Sequence, residues 1–266
     1  MIGDGFSKFN YKESPSGRSD RFGFSDSKCS LGLVEVSMIC LTGDKHGWLG
    51  VHDLDAGNWP EGQSLTKDDV LIILGEIGIG MYKDPDRNNK LIQYYESQPW
   101  LTAFVDGNHD AFPFINSFPV SEWNGGKVHR IADNVIHLMR GQVFTIEGKK
   151  LFVMGGAQST DRCEGEYWFP EELPSQEEYD EAERNLKSYG YSVDCILTHT
   201  CSINQLASLY GTQMAMNSPD PLSWYFRDLE KKVSFSMWAY GHHHRDERVD
   251  DRHVVLCHNI FRLTIP

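Results

Sequence analysis

The sequence predicts an α/β sandwich, which the order of its segments favours over an all-β barrel. From Met38 onward, strand-like and helix-like segments alternate along the chain. Several strand-like segments, such as residues 70–74, are continuously apolar, which is typical of strands buried on both faces. The length of 266 residues and the hydrophobic content of 40% suffice for one large domain or two small ones.

Short apolar runs bounded by turn residues predict the strands. In chain order these are residues 38–42, 70–74, 100–105, 135–138, 142–146, 150–154, 193–198, 236–240 and 254–257. The three runs within residues 135–154 are interpreted as a meander, with its last turn at residues 147–149. The run at residues 254–257 is expected to close the sheet.

Periodicity and capping predict two helices. In residues 90–98, Leu91, Ile92 and Tyr95 share one helical face, and a proline lies just past the end. The sequence Ser-Gln-Glu-Glu that starts at Ser175 is a capping box, which begins a charged helix reaching about residue 188.

Residues 1–37 differ from the rest of the chain. Residues 1 to about 30 are rich in Gly, Ser, Asp and Lys and show no sustained period, which predicts a disordered N-terminal extension over residues 1–37. Residues 38–266 are expected to form a single domain.

The composition argues against several classes of partner. A net charge of −13 disfavours a protein that binds nucleic acid through a broad basic face. A nuclease is not excluded, because bound metals can supply local positive charge. No apolar run approaches the roughly 20 residues that span a bilayer, and no signal-peptide pattern opens the chain, so no membrane partner is expected.

The six cysteines show no CxxC pairing or regular spacing. Cys40, Cys195 and Cys257 lie in strand-like apolar runs, where a reduced cysteine behaves as a small hydrophobic residue. The pattern predicts a cytoplasmic protein with free thiols.

Five short clusters of potential metal ligands follow apolar runs, at residues 43–47, 75–76, 107–110, 198–200 and 241–244. Ligands in open α/β sheets bind beyond the carboxyl ends of the strands, so these clusters are expected to converge. Their candidate metal ligands are Asp44, His46, Glu76, Asn108, His199, His242 and His244. Such a mixed oxygen and nitrogen set suits Mn, Fe, Zn, Co or Ni rather than Ca. Two such ions about 3.5–4 Å apart can clamp a phosphoryl group.

The spacing within two clusters indicates which side chains point together. Asp44 and His46 are two residues apart, as are His242 and His244, so on extended segments each pair would share one side. His243 would then turn away. Each cluster alone has a structural alternative, such as a Gly-Asp turn or an exposed histidine tract. The ordered combination is what favours a two-metal hydrolytic centre.

The order GDxHG, G(D/E), GNHD, H and GHxH resembles the calcineurin-like metallophosphoesterase superfamily from Met38 to the C-terminus. The resemblance implies a four-layer β-sandwich of mixed sheets flanked by helices, with a dinuclear metal site at one end. It implies an enzyme that hydrolyses a phosphomonoester or phosphodiester, with a nucleotide among the candidate substrates. It also implies two divalent ions, preferably Mn, with a hydroxide bridging them.

The same resemblance implies roles for individual residues. Asp44, His46 and His244 would hold the first metal, and Asn108, His199 and His242 would hold the second. Glu76 would bridge the two ions. His109 would protonate the leaving alkoxide, which requires hydrogen-bond reach and a pKa suited to near-neutral pH, and Asp110 would orient it.

Glu76 departs from the family pattern, in which the bridging ligand is an aspartate. The added methylene can lengthen the metal separation or weaken one site. The alternative function is therefore a catalytically weakened or inactive protein that contains metal and binds a phosphorylated ligand. If the longer side chain weakens the centre, Glu76→Asp raises activity or metal affinity, and no change in either would contradict this idea.

A second departure concerns the phosphate-gripping arginine of phosphoprotein phosphatases, which is absent after Glu76. Arg130, Arg140, Arg162 and Arg245 are alternative sources of that charge, and a protein phosphatase is disfavoured. A small phosphoester or nucleotide is the favoured substrate, with nucleic acid less favoured.

The predicted substrate-binding residues are Arg162, Arg245 and Trp48. Trp48 follows the first motif closely enough to line a pocket, although such a tryptophan can also simply cover a loop. Residues 158–174 are either a lid beside the metals or an ordinary connector. The oligomeric state is left open.

Overall fold

The computed structural model describes residues 37–160 and 168–264, all of which lie within one compact unit. The predicted disordered extension falls almost wholly on residues 1–36, outside the described residues. The substrate-binding candidate Arg162 also lies outside them.

The strands of the described residues form two mixed sheets. They are β1 (Ile39–Thr42), β2 (Val70–Leu74), β3 (Leu101–Val105), β4 (Val120–Trp123), β5 (Gly126–Ala132), β6 (Val135–Leu138), β7 (Val143–Ile146), β8 (Lys149–Met154), β9 (Cys195–Thr198), β10 (Met237–Tyr240), β11 (Glu247–Arg248), β12 (His253–Val255) and β13 (Phe261–Arg262). The first sheet has the order β13-β1-β2-β3-β6-β5-β4, and the second has the order β11-β12-β10-β9-β8-β7.

Each sheet has a parallel centre and antiparallel edges. In the first sheet, β1, β2, β3 and β6 are parallel, while β13, β5 and β4 pair antiparallel to their neighbours. In the second, β8, β9, β10 and β12 are parallel, and β7 and β11 are antiparallel. The carboxyl ends of the parallel strands therefore meet at one edge of each sheet.

Helices connect the strands. They are α1 (Pro85–Glu96), α2 (Phe112–Ile115), α3 (Gln176–Ser188), α4 (Ile203–Tyr210), α5 (Thr212–Met216) and α6 (Pro221–Lys232). Short 3-10 turns lie at Gly47–Leu49, Val51–Leu54, Pro60–Ser64 and Pro170–Glu172.

The core has three layers of apolar side chains, and the strand β2 shows why. Val70, Ile72 and Leu74 belong to a cluster shared by the two sheets, while Leu71 and Ile73 belong to another that includes residues of α1. Successive side chains of a strand point to opposite faces, so a strand covered on both faces must be apolar throughout. A third cluster lies where α3 and α6 pack on the second sheet. The molecule is thus helix, sheet, sheet, helix, which confirms the predicted α/β class.

Several predicted elements are confirmed. Strand β2 matches residues 70–74, and α3 begins with the predicted capping box, in which Ser175 and Glu178 bond to each other's backbone N–H. Helix α1 begins five residues earlier than predicted, because Asp84 caps it and Pro85 occupies its first turn.

The predicted meander is wrong, because residues 135–154 divide between the two sheets. Strand β6 belongs to the first sheet, whereas β7 and β8 form a hairpin in the second. The predicted turn is present, with Glu147 and Gly148 both at positive φ. The expectation that residues 254–257 close the sheet is also wrong, because β11 pairs outside β12.

The hairpin β4–β5 and the helices α4 to α6 were not predicted. The hairpin turns at Asn124-Gly125, a strong two-residue hairpin signal, and both residues have positive φ. Helices α4 and α6 begin with the side-chain caps Ser202 and Asp220.

Among the described residues, no helix is long and apolar enough to cross a membrane. The cysteines Cys40, Cys195, Cys201 and Cys257 are buried and free.

Candidate metal centre

The predicted ligands follow the carboxyl ends of parallel strands in both sheets. Asp44 and His46 follow β1, Glu76 follows β2 and Asn108 follows β3. His199 follows β9, and His242 and His244 follow β10. The two sheets bring these ends together, since ligands from one sheet contact ligands from the other.

Among the described residues, two groups of His, Asp and Glu side chains are compact enough to hold a metal ion. One is His46, Glu76 and His244, and the other is Asp44, Glu76 and His199. Within each group the ligand atoms lie within 4.8 Å of one another. Glu76 belongs to both groups, which is the position of a bridging ligand.

Distances place the Glu76 carboxylate between the two groups. Its Oε2 lies 2.9 Å from His46 Nε2, and its Oε1 lies 3.8 Å from His199 Nε2. On the first side, His46 Nε2 lies 3.1 Å from His244 Nε2. On the second, His199 Nδ1 lies 3.4 Å from Asp44 Oδ1.

Two placements differ from the assignment that the resemblance implies. Asp44 groups with His199 rather than with His46 and His244. His242 belongs to neither group, although its ring packs on that of His199 with 4.9 Å between centroids. Its backbone N–H donates to Asp44 Oδ1 at 3.0 Å, so His242 here contributes its backbone to the second group.

The ligand backbone is left-handed rather than extended, which corrects the expected alternation of side chains. Seven non-glycine residues in the described part of the chain have positive φ, and four of them are predicted ligands. These four are His46, Glu76, His242 and His244. His243 does point elsewhere, because its Nε2 lies 3.2 Å from the Cys201 sulfur. Costly backbone conformations of this kind cluster at functional sites.

Glycine is required beside the ligands at Gly75 and Gly107. A Cβ on Gly75 would lie 2.0 Å from His199 Nδ1, and Gly75 has φ of +103°. A Cβ on Gly107 would lie 2.5 Å from Glu76 Cγ. The absence of side chains at these two positions lets the ligand loops approach each other.

His199 contacts an oxygen acceptor through each ring nitrogen. Its Nδ1 lies 2.8 Å from the Leu74 carbonyl, and its Nε2 lies 3.0 Å from Asn108 Oδ1. Asn108 is oriented by its own Nδ2, which donates to the Ser159 hydroxyl at 2.9 Å. Burial lowers the pKa of His199, which favours the neutral ring that a metal ligand needs. His199 Nε2 and Asn108 Oδ1 are placed to share a cation.

Asp44 has a buried oxygen atom that could ligate a metal ion. It is 2% exposed, and its Oδ2 has no hydrogen-bond partner among the described residues. Burial and the negative charge of Glu76 raise its pKa well above the usual range. A buried carboxylate oxygen without a partner is costly, and a metal ion would satisfy it.

The charges of the first group depend on His46. Burial lowers the pKa of His46, but the hydrogen bond and negative charge of Glu76 outweigh it and raise the pKa to about 9. In turn, burial raises the pKa of Glu76, while His46 holds it well below its usual range. Without metal, a proton on His46 therefore balances the carboxylate.

Asp110 anchors the ligand loops. It is fully buried, and its Oδ2 accepts the backbone N–H of Glu76 at 2.9 Å and of Gly107 at 2.7 Å. Burial and the negative charges of Glu76 and Asp106 raise its pKa to about 6, although the hydrogen bond from the Gly107 N–H lowers it. The predicted orientation of His109 by Asp110 stays a prediction.

The candidate substrate-binding residues occupy different surroundings. The indole Nε1 of Trp48 lies 3.4 Å from the Arg87 carbonyl, and its ring packs on Tyr94, so its contacts favour covering a loop. Arg245 is exposed directly after His244, with its guanidinium 4.9 Å from the Tyr210 ring centroid.

The remaining arginine candidates lie in the first sheet and its connections. Arg140 is buried and bonds to Asp106, while Arg130 donates to the Asp133 carbonyl at 3.2 Å. Arg245 directly follows the predicted ligand His244, so it is the described arginine closest in sequence to a predicted ligand.

The segment of residues 158–174 is joined near its two ends. The Ser159 N–H bonds to Glu172 Oε2 at 3.1 Å.

Three residues that support the centre were not among the predicted site residues. Ser159 orients Asn108. Asp106, two residues before Asn108, is buried and accepts hydrogen bonds from Arg140 and His137. Lys45 is fully buried inside the first motif and donates to Asp53 at 2.8 Å. A charged residue directly after an apolar strand was the available signal for Asp106.

The chain matches no protein-family model, and no curated protein matches it.

Proposed function

We propose that this protein is a metal-dependent phosphoesterase that hydrolyses a phosphomonoester or phosphodiester at a centre of two divalent ions. The observation that carries the proposal is the shared carboxylate of Glu76, which joins two metal-capable groups at converging strand ends. The extra methylene of glutamate is compatible with this role, since its two oxygens face opposite groups.

The residues fit divalent ions by their own chemistry. Among the described residues, Asp44 Oδ2 has no hydrogen-bond partner, and His199 Nε2 lies 3.0 Å from Asn108 Oδ1, where both could ligate one ion. Imidazole with carboxylate and amide oxygen suits Mn, Fe, Zn, Co or Ni, and we favour Mn. When bound, two such ions would supply positive charge for the phosphoryl group and activate a water molecule.

The protein's own residues then position and protonate the substrate. Asp110 fixes the Glu76 and Gly107 backbone, and Gly107 precedes Asn108 and His109. His109 is partly exposed next to these ligands, where it can deliver a proton to the leaving alkoxide. We propose that the guanidinium of Arg245, which is exposed beside His244, attracts the phosphate.

The order of motifs supports assignment to the calcineurin-like metallophosphoesterases and their fold. Small phosphoesters or nucleotides are the proposed substrates. We propose a cytoplasmic location, which agrees with the buried free cysteines of the described residues.

The test is hydrolysis of p-nitrophenyl phosphate and bis-p-nitrophenyl phosphate by the full chain with added Mn. We expect turnover that a chelator abolishes and that His109→Ala reduces about 10²–10⁴-fold, with metal content unchanged. His52→Ala is the control, because it removes a histidine that is exposed, pairs with Asp55 and belongs to none of the five clusters.

Two outcomes would contradict the proposal. Tight metal binding without turnover of either ester would favour the alternative, a binder of a phosphorylated ligand weakened by Glu76. Equal loss of activity in both histidine variants would remove the role assigned to His109.

A further inference from the structure

A cavity of about 430 Å³ lies beside the candidate metal centre. It is lined by residues of α4 and α5, by the turn before α6, and by Thr200 and His242. Thr200 directly follows His199, and the His242 ring packs on the His199 ring with 4.9 Å between centroids. The cavity therefore begins one side chain away from the second metal group.

The surface of the lining is largely apolar, and the Tyr210 ring forms part of it. Its apolar members are Leu206, Tyr210, Met214, Ala215 and Pro219. A volume of this size with apolar walls and a few polar groups is typical of a site for a small organic ligand.

Two charged side chains border the cavity. The Asp220 carboxylate caps α6, accepting the Leu222 N–H at 2.9 Å and the Ser223 hydroxyl at 3.1 Å. The Arg245 guanidinium packs on the lining residue Tyr210, 4.9 Å from its ring centroid. Both charges already have neighbours, so the apolar surface is what the cavity offers to a ligand.

We propose that this cavity holds the alcohol portion of the phosphoester, and that this portion is apolar or aromatic. The inference rests on the proposed function, because it places the phosphoryl group at the metal centre next to His242. It narrows the substrate class to esters of apolar, preferably aromatic, alcohols.

Binding of phosphonates tests the cavity without requiring turnover, because their carbon–phosphorus bond is not hydrolysed. Calorimetric titration of the Mn-loaded full chain would compare benzylphosphonate, 4-carboxybenzylphosphonate and methylphosphonate. Burying the ring should make benzylphosphonate bind about 10–100-fold tighter than methylphosphonate. The added carboxylate should remove most of that gain. Equal affinity for all three would overturn the inference.

Two methionines of α5 provide a matched pair of variants. Met214 lines the cavity and is 64% exposed, whereas Met216 does not line it and is 55% exposed. Met214→Ser should lower the benzyl-to-methyl affinity ratio several-fold, and Met216→Ser should leave it unchanged. Both substitutions are at exposed positions of one short helix, so folding should be affected alike. Equal ratios in the two variants would contradict the assignment.

The two proposals fail in different ways. Benzyl selectivity without hydrolysis of any ester would support the cavity assignment and reject the enzyme. Hydrolysis without benzyl selectivity would support the enzyme and reject the cavity assignment. Failure of all three phosphonates to bind would reject the cavity assignment, whatever the ester assays show.

Discussion

At the scale of single residues, the candidate centre concentrates conformations that are costly elsewhere. His46, Glu76, His242 and His244 all have positive φ, each at a cost of about 1–3 kcal/mol. The surrounding bonds hold this geometry, since the Glu76 carbonyl accepts the N–H of His46 at 2.7 Å and the Glu76 N–H bonds to Asp110. Ligand placement is therefore built into the backbone before any ion binds.

Metal binding should release protons. Because the pKa of His46 is raised to about 9, this residue is protonated at pH 7 without metal and must lose its proton to become a ligand. Affinity for Mn should therefore rise with pH up to about 9. Calorimetric titration at pH 7 in two buffers of different ionisation enthalpy should detect about one proton or more per chain. Binding without proton release would contradict the role of His46.

The shared position of Glu76 predicts how substitutions change metal content. Glu76→Gln removes a negative charge from both groups, so both should lose affinity for metal. His244→Asn affects the first group alone and should leave the second occupied. Metal analysis after dialysis against Mn measures the ions per chain. A Glu76→Gln variant that retains the wild-type metal content would contradict the bridging assignment.

At the scale of elements, one buried ion pair joins the first sheet to the connections around it. Arg140 follows β6, and its Nε donates to Asp106 Oδ2, at the end of β3, at 2.8 Å. Its Nη2 also donates to the Glu171 carbonyl at 2.8 Å, in the turn before α3. His137 adds a third contact to Asp106, at 3.0 Å. These contacts fix the end of β3, the strand that precedes Asn108.

Breaking this pair should destabilise the fold. Burial raises the pKa of Asp106, but Arg140 and His137 hold it well below its usual range. Arg140→Met leaves the buried Asp106 carboxylate without its arginine partner and should lower the free energy of unfolding at pH 7 by about 3–5 kcal/mol. Arg130→Met, at a half-exposed arginine, is the control and should change it by about 0.5 kcal/mol or less. Denaturant unfolding of both variants measures the difference.

The same pair predicts the direction of acid sensitivity. The pKa of Asp106 is lower in the folded chain than in the unfolded chain, so its stabilisation is present above the ordinary aspartate pKa, about 4. It is lost as the pH falls further. The difference in stability between wild type and Arg140→Met should therefore shrink at acid pH, and a constant difference would contradict this origin.

At the scale of the whole molecule, the candidate centre joins the two sheets. Asp44, Glu76 and Asn108 come from the first sheet, while His199 and His244 come from the second. The apolar layer between the sheets includes Leu74 and Leu197. Any ion held by both groups adds a polar link across this layer.

Metal should therefore stabilise the protein as a whole. At a free Mn concentration 100 times the dissociation constant, the folded state gains about 2.7 kcal/mol. For a chain of this length, that gain should raise the melting temperature by roughly 5–11 °C. Thermal unfolding with Mn and with a chelator measures the shift, and Glu76→Gln should abolish it. A shift of equal size in that variant would show that Mn binds elsewhere.

The sequence alone determined the α/β class, the strand β2, the capping box of α3 and the ligand types near the strand ends. These are local properties, since burial on both faces forces a continuous apolar run and a cap needs only neighbouring residues. The resemblance to metallophosphoesterases came from the same short motifs.

Only the tertiary structure decided which ligands share a group and how the strands divide between sheets. Asp44 groups with His199, 155 residues further along the chain, because β1 and β9 lie in facing sheets. The split of residues 135–154 has the same origin, since each strand pairs with partners far away in sequence. The left-handed backbone at Glu76 lets its carboxylate lie between both groups. Long-range pairing of this kind leaves no local pattern in the sequence, whereas the residue types that it brings together do.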